Sequence, residues 1–566
     1  TPNVDSAALP ADVTDNRDRH KNTTFPLPAR WTKSLAESVQ WTRFTRLLSA
    51  ALLAVALGSF CAQVFINWSY LEDDPLIFCR YALNFHRGYG WVMNPDERVN
   101  GCTSWLALWL ITFLTSFLSL DWTIVALKLL GAACGAAILI GTRALSLRVL
   151  PGQPLIAALC MLIVACRLDF VLAMINALET PYACAALLWS LLAFWTATIK
   201  RSFTAEIGAG FLFVIAGMAR PEMTIIYPLL CACRWILYKQ IHWWALVGYA
   251  LPFILVGLFS LHFYGSVLPN TYYAKQASLA EGLLEGGKYL AFYLLPSVPL
   301  FGVLLPVFCM AAVLIHGGRY SWILVLTAAV YAATILRTHG DWMADGRFAT
   351  PILPLVVISW IVALRAVGRS LLPARPHLRP FMFYGLIAFG LSVVWDSYTS
   401  NLQTIQGYIA SHTRITPPRL PSRLSAQRPL IIWMCGAPDG RRLIAEWISR
   451  HVRPGQLVMT SEVGLVTALN PDIRFLDAWG LTDAVIARME GYERRQGGVA
   501  HRQDWSRPTT LMGSYISRRR PDFVIMPFRT PRGVGAAFPN YERVGALRIY
   551  IDNSGLHYFV IYKRLP

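Results

Sequence analysis

Read for the order of apolar and polar positions, the chain divides into three regions. Residues 1 to about 40 mix Asp, Arg, Asn and Thr and are broken by Pro10, Pro26 and Pro28. A stretch of that kind buries little, and it predicts a disordered or surface-lying arm over 1–42 rather than a cleavable signal peptide. From Leu47 the pattern changes to long uncharged runs. Leu47–Ile66 is about 20 residues, the length a helix needs to cross a bilayer. Further runs follow at Trp122–Thr142, Val149–Cys166, Pro181–Ile199, Ile207–Ala219, Met223–Cys233, Trp243–Leu261, Tyr289–Ile315, Ser321–Leu336, Phe348–Leu364 and Phe381–Trp395. Ser104–Leu120 is uncharged but short. If it crossed as well, Arg143 and Arg148 would fall outside, against the positive-inside tendency, so it reads as an interfacial segment.

After Asp396 the runs stop. Residues 397–428 read as a linker with an interfacial helix ended by Thr416-Pro417-Pro418. Apolar runs at Pro429–Met434, Gln456–Thr460 and Asp522–Pro527 then read as strands, and Arg441–Val452 has helical spacing. Tyr550-Ile551-Asp552-Asn553-Ser554-Gly555 before Tyr558–Tyr562 has the turn chemistry of a hairpin. The predicted fold is a polytopic α-helical membrane protein with about 11 transmembrane helices and a C-terminal extracytoplasmic α/β domain. Its parts are the arm at 1–42, a membrane domain at 43–396 with a first extracytoplasmic loop at 69–122, and the α/β domain at 397–566.

Composition agrees with that class: 55% of the 566 residues are hydrophobic and 15% charged, which excludes an ordinary soluble enzyme. A net charge of +19 would suggest nucleic acid in a soluble protein. Here the cations sit at the ends of apolar runs: Arg43 and Arg46, Lys200 and Arg201, Arg234 and Lys239, Arg319, Arg365 and Arg369. That placement puts the N-terminus in the cytoplasm and predicts a multi-pass membrane protein, with no nucleic-acid partner. Of the 11 cysteines only Cys435 lies in the tail, and no zinc spacing or disulfide framework is present. Cys79 and Cys102 read as buried free thiols, with a disulfide between them as the alternative if their loop is outside the cytoplasm.

Candidate chemistry changes the picture more. Under this topology Glu72–Arg98, Asn176–Thr180, Arg220-Pro221-Glu222, Tyr264–Lys275 and Arg337–Arg347 all emerge on the far side of the membrane, which predicts one shared site. Its centre is Asp73-Asp74, directly after the first span. One reading is catalytic, the other a cap for the helix that begins at Pro75, and both hold if one Asp caps and so aims the other. A carboxylate facing water at the membrane suits transfer of a sugar from a lipid-linked phosphate: it takes the proton of an acceptor hydroxyl, while cations hold the leaving phosphate. Asp74 and Asp73 are the catalytic candidates, with Asp74 preferred for substrate contact. Glu179, Arg220, Glu222, Lys275, His339, Asp341, Arg347 and Tyr273 are the candidates for binding donor and substrate. Arg220 and Glu222 lie between short apolar runs, so they line a cavity below the membrane surface or pair with each other. Asp73, Asp74, Glu179, His339 and Asp341 also form an oxygen-rich set of the kind a divalent cation such as Mg or Mn takes, but no spacing enforces it, and no obligatory metal is expected.

The aspartate pair after the first span, Glu97-Arg98-Val99-Asn100 with Thr103-Ser104, Leu178-Glu179-Thr180, and Gly340-Asp341-Trp342-Met343 with Arg347-Phe348 resemble the polyprenyl-phosphate-sugar-dependent glycosyltransferases of the GT-C superfamily. Within it the chain resembles the bacterial enzymes that add terminal β-(1→2)-arabinofuranosyl residues, over roughly 44–395. The resemblance implies a catalytic Asp in the first extracytoplasmic loop, at Asp73 or Asp74. It also implies a decaprenyl-phosphoryl arabinofuranose donor or a similar lipid phosphate sugar, a cell-envelope glycan acceptor, a role in cell-wall biogenesis, and a C-terminal domain that helps hold the acceptor. Two alternatives stay open: a transferase of the same architecture acting on a protein or lipopolysaccharide, and a transporter or flippase of lipid-linked sugars. The second would show half-repeats and mid-membrane polar residues, and neither is visible.

Overall fold

The computed structural model describes residues 29–68, 70–275, 278–294, 304–338, 340–341, 343, 345–371, 438–495, 511–528, 540–551 and 555–566. The chain forms two compact units, Thr1–Leu48 and Ser49–Pro566. The first is described only as part of the helix Ala29–Ile66.

The second unit holds most of the helices and the only sheet among the described residues. Among those residues four helices are long and apolar enough to cross a membrane: Arg43–Ile66, Leu120–Val149, Thr180–Lys200 and Trp243–Tyr264. A fifth span arises if Pro154–Ala165 and Leu168–Ile175, bent by 66°, count as one. Trp105–Thr115, Phe203–Ala219, Trp322–Thr338 and Thr350–Ala366 are apolar but shorter. The expected spans thus appear as helices of uneven length. Val149–Cys166 instead begins at Pro154, because Pro at the first turn starts a helix well and continues one badly. Tyr289–Ile315 falls on two helices, Leu279–Leu294 and Leu304–His316, and Phe381–Trp395 lies outside the described residues, as do the linker 397–428 and the run Pro429–Met434. Trp244, Leu251, Ile254, Leu255 and Leu258 of Trp243–Tyr264 are more than half exposed, an apolar surface of the kind a bilayer covers. Where helices touch, small residues permit it: a Cβ on Gly131 would overlap the Met174 carbonyl oxygen.

Trp105–Thr115, the core of the segment read as interfacial, has 11 residues and so rises only about 16 Å, well short of a bilayer. Ser104 caps it by accepting from the Ala107 N–H.

The C-terminal region is a five-stranded sheet: β1 (Leu457–Thr460), β2 (Arg474–Asp477), β3 (Phe523–Phe528), β4 (Tyr541–Ile551) and β5 (Gly555–Arg564), in the order β2-β1-β3-β5-β4. The pairs β1–β2 and β1–β3 are parallel, whereas β3–β5 and β4–β5 are antiparallel. Its two faces are covered differently. Ile444 and Ile448 of the helix Pro438–His451 pack with Val458, Phe475 and Ile525, while Ile486 and Ile516 pack with Met459, Leu476 and Val524 on the other face. The expected hairpin is present as β4–β5, its strands pairing through Ile551 and Gly555. Strand β2 and the helices Leu465–Leu469, Ala484–Arg495 and Leu511–Arg519 carry no clear sequence signal, being short or strongly charged. Cys79 and Cys102 are buried free thiols.

Candidate active site

Asp74 is the first residue of the helix Asp74–His86, followed by Pro75 at a position where a missing N–H costs nothing. Its carboxylate faces Arg347, with Nη2 of the guanidinium 3.1 Å from Oδ2. The same guanidinium, through Nε, binds Asp341. Arg347 and Asp341 are nearly buried, whereas the Asp74 side chain is 24% exposed and is the more open carboxylate of this trio. The loop that supplies Asp341 and Arg347 is held by its own second acid. Asp345 accepts from the Arg347 N–H at 3.1 Å and from Asn176 Nδ2 at 2.7 Å. Gly346 makes the turn at φ +60°, with Tyr293 where a side chain would stand.

A second ion cluster adjoins the first. Arg220, buried between the helix Phe203–Ala219 and the turn Pro221–Met223, pairs with Glu222 at 2.7 Å and Glu179 at 3.6 Å. Its Nη1 donates to the Arg347 carbonyl oxygen at 3.2 Å and lies 3.4 Å from Thr180 Oγ1. Both guanidiniums lie over the Phe348 ring, at 4.4 Å for Arg220 and 5.5 Å for Arg347. The pairing of Arg220 with Glu222 is one of the two alternatives the short helices left open. Burying so many charges costs desolvation that pairing barely recovers, so such clusters are retained for what they do more than for stability.

Asp73 is placed differently from Asp74. It occupies the N-cap position of Asp74–His86 but makes no side-chain bond to that helix. Its carboxylate instead accepts from the N–H groups of Gly464 and Leu465, both at 2.9 Å, at the start of the short helix Leu465–Leu469. Both oxygens are engaged in a buried contact, whereas Asp74 is the more exposed of the two carboxylates. Arg80, seven residues further along the same helix, reaches the other end. It donates to the carbonyl oxygens of Thr467 (3.2 Å), Asn470 (3.2 Å), Ile473 (2.9 Å) and Met93 (3.0 Å). An anion at the amide end and a cation at the carbonyl end of one helix match its dipole, and seven residues span about 10 Å, close to the length being gripped. Two more buried amides join the regions. Asn94 donates to and accepts from the Phe475 backbone, and Asn270 Nδ2 reaches the carbonyls of Gly480, Leu481 and Asp483.

Of the remaining expected residues, Lys275 ends the short helix Asn270–Ala274; it is half-buried and makes no ion pair among the described residues. Tyr273 sits between Ser266 and the Arg488 guanidinium, away from both ion clusters. His339 lies outside the described residues. Among the described residues no group of three His, Cys, Asp or Glu side chains is arranged to hold a metal ion. Arg80, Asn94 and Asn270 were not foreseen as site-building residues. The one sequence signal for Arg80 is its i, i+7 spacing from Asp73 on a common helix face.

Glu72, buried beside this group and contacted by the Tyr70 hydroxyl, is pushed up from 4.5 to about 8, by burial first and by the Asp345 charge second. A carboxyl raised in the folded state holds its proton where the unfolded chain has released it. Stability therefore falls as pH rises from 4.5 to about 8 and levels off above. Glu72→Gln removes that titration. Thermal melts should show the variant and parent alike near pH 5, with the variant ahead at pH 8 by on the order of 2 kcal/mol. An equal gap at both pH values would contradict the assignment.

Residues 437–562 match the model of a domain of unknown function, DUF8728. The chain is 28% identical over 257 residues to the terminal β-(1→2)-arabinofuranosyltransferase of Mycobacterium tuberculosis, an alignment covering 42% of this chain and 39% of the relative. It thus spans about two fifths of the length of that relative. An oligosaccharyltransferase from Archaeoglobus fulgidus overlays with a TM-score of 0.49 at 11% identity, covering 85% of this chain and 70% of that one. ArnT from Cupriavidus metallidurans overlays at 0.46 and 13% identity, covering 93% and 98%. Over that stretch this chain is similar in sequence to a terminal β-(1→2)-arabinofuranosyltransferase.

Proposed function

We propose that the protein is a membrane glycosyltransferase that moves a sugar, arabinofuranose by its likeness to the relative above, from a polyprenyl-phosphate donor to a hydroxyl of a cell-envelope glycan on the extracytoplasmic side. The observation that carries this reading is the Asp74–Arg347–Asp341 trio. It presents one reachable carboxylate, held by a guanidinium whose charge stays balanced by Asp341 when Asp74 takes up a proton.

In the reaction, Asp74 accepts the proton of the acceptor hydroxyl as that oxygen attacks the anomeric carbon. The bond from that carbon to the phosphate oxygen breaks, and the polyprenyl phosphate leaves with the electron pair. Its growing charge calls for a cation. Arg347 and Arg220 are each committed to two carboxylates, which leaves Lys275 as the candidate among these three that pairs with no carboxylate among the described residues. The test uses the purified full chain in detergent, with polyprenyl-phosphoryl arabinofuranose or hexose and an arabinan or other envelope glycan as acceptor. Sugar transfer with release of polyprenyl phosphate is expected. Absence of transfer from every donor, with lipid-linked sugar crossing vesicles instead, would favour the flippase and end this reading.

A further inference from the structure

Asp73 and Asp74 are consecutive, their Cα atoms about 3.8 Å apart, so whatever fixes one carboxylate constrains the other. Asp73 is fixed by the C-terminal region alone among the described residues: its side chain meets the Gly464 and Leu465 amides and, 3.8 Å away, Nε of Arg441. Arg441 projects from the helix Pro438–His451 and binds Glu462 through the same Nε. Gly464 belongs to the arrangement too. A Cβ there would overlap both the carbonyl and the carboxylate of Asp73, so only glycine lets the strand-to-helix turn approach so closely. All four groups lie within the segment matched by the domain of unknown function.

We infer that this segment is part of the transfer site: by holding Asp73 through Gly464, Leu465 and Arg441 it sets where Asp74 points, and Asp73 and Arg441 are positioning residues for the reaction. The inference rests on the glycosyltransferase reading above. It assigns the segment a role other than holding the acceptor glycan, since a docking interface built from buried charge and backbone hydrogen bonds has the character of a fixed support. The Asp73 backbone carries the effect onward, because its carbonyl accepts from the Leu76 N–H at 3.0 Å and so starts the helix on which Asp74 stands.

The charge state of Asp73 decides whether the latch closes. As a carboxylate it takes both N–H groups in charge-assisted bonds; once protonated, its oxygens are weaker acceptors and both bonds weaken. Burial raises its pKa, Arg441 opposes that rise, and Glu462 and Asp74 add to it. Among the described residues these three charged groups act on it most strongly. Removing Arg441 therefore lets Asp73 protonate at higher pH.

Three variants of the full chain test this: Arg441→Met, Arg441→Lys and Asp73→Asn. For Arg441→Met, kcat should fall about tenfold, and the acid limb of its pH profile should move to higher pH. KM for donor and acceptor should hold within about twofold, and Arg441→Lys should restore most of both the rate and the profile. A variant that was merely less well folded would lose amplitude without moving the acid limb. Backbone hydrogen exchange, read without any substrate, supplies the independent arm: Asp73→Asn should speed exchange at Gly464, Leu465 and Leu76 by about tenfold or more. Unchanged exchange at those amides, or an unmoved acid limb in Arg441→Met, would overturn the inference. If the parent protein transfers no sugar, the glycosyltransferase reading fails on its own, and the exchange arm still decides whether the segment holds the loop.

Discussion

Asp74→Asn is expected to lower sugar transfer by about 10²–10⁴-fold, the usual contribution of a positioned general base, while leaving thermal stability close to that of the parent. The asparagine keeps the size of the side chain and can still accept from Arg347 Nη2, so the loop has no reason to move. What it loses is the ability to take a proton. Arg347→Lys should fall nearly as far for a different reason. One guanidinium now spans Asp74 and Asp341, and a single ammonium cannot hold both in the same geometry. Initial rates from labelled lipid donor, together with melting curves, separate the two effects. Near-parental transfer in Asp74→Asn would remove Asp74 from the chemistry.

Arg80→Leu is expected to give the largest loss of stability. Arg80 is fully buried and serves four carbonyl oxygens, three of them on the far side of the docking interface. Leucine fills much of the space but satisfies none of them, and each orphaned buried acceptor costs about 1–3 kcal/mol. Some of that is offset because a cation no longer has to be buried. Burial and the nearby Arg87 already lower the Arg80 pKa to about 10, a sign of how little this environment favours the charge. A net loss of roughly 3 kcal/mol or more is expected, read as a lower melting temperature and faster protease cleavage within 438–495. Arg80→Lys should recover only part of it, since three rotating donors cannot serve four acceptors in a fixed fork. A melt within a degree of the parent for Arg80→Leu would mean that the clamp contributes little.

The two variants probe the first residue and the middle of one helix, and their different expected outcomes follow from exposure. Asp74 is partly exposed and pairs with Arg347. Arg80 is fully buried and supports the contact between the loop and the sheet region.

What the sequence determined by itself was the class of the protein and a set of candidate site residues. Apolar runs of membrane length, basic residues at alternate ends and a later shift to strand and turn patterns are local signals, because each reflects how a short stretch meets lipid or water. Polar clusters around Asp74, Glu179, Arg220, Asp341 and Arg347 stood out against that background since charge is costly beside hydrocarbon. Partner choice was not local. Whether Asp73 or Asp74 faces substrate, whether Arg347 pairs with Asp341 alone or with Asp74 too, and that Arg80 reaches Thr467, Asn470 and Ile473 depend on atoms up to 393 residues apart in the chain. Two adjacent aspartates look alike in sequence; only the tertiary structure sends one to the backbone amides of a distant helix and leaves the other open to solvent, because hydrogen bonds are satisfied by whichever group packing brings within 3 Å or so.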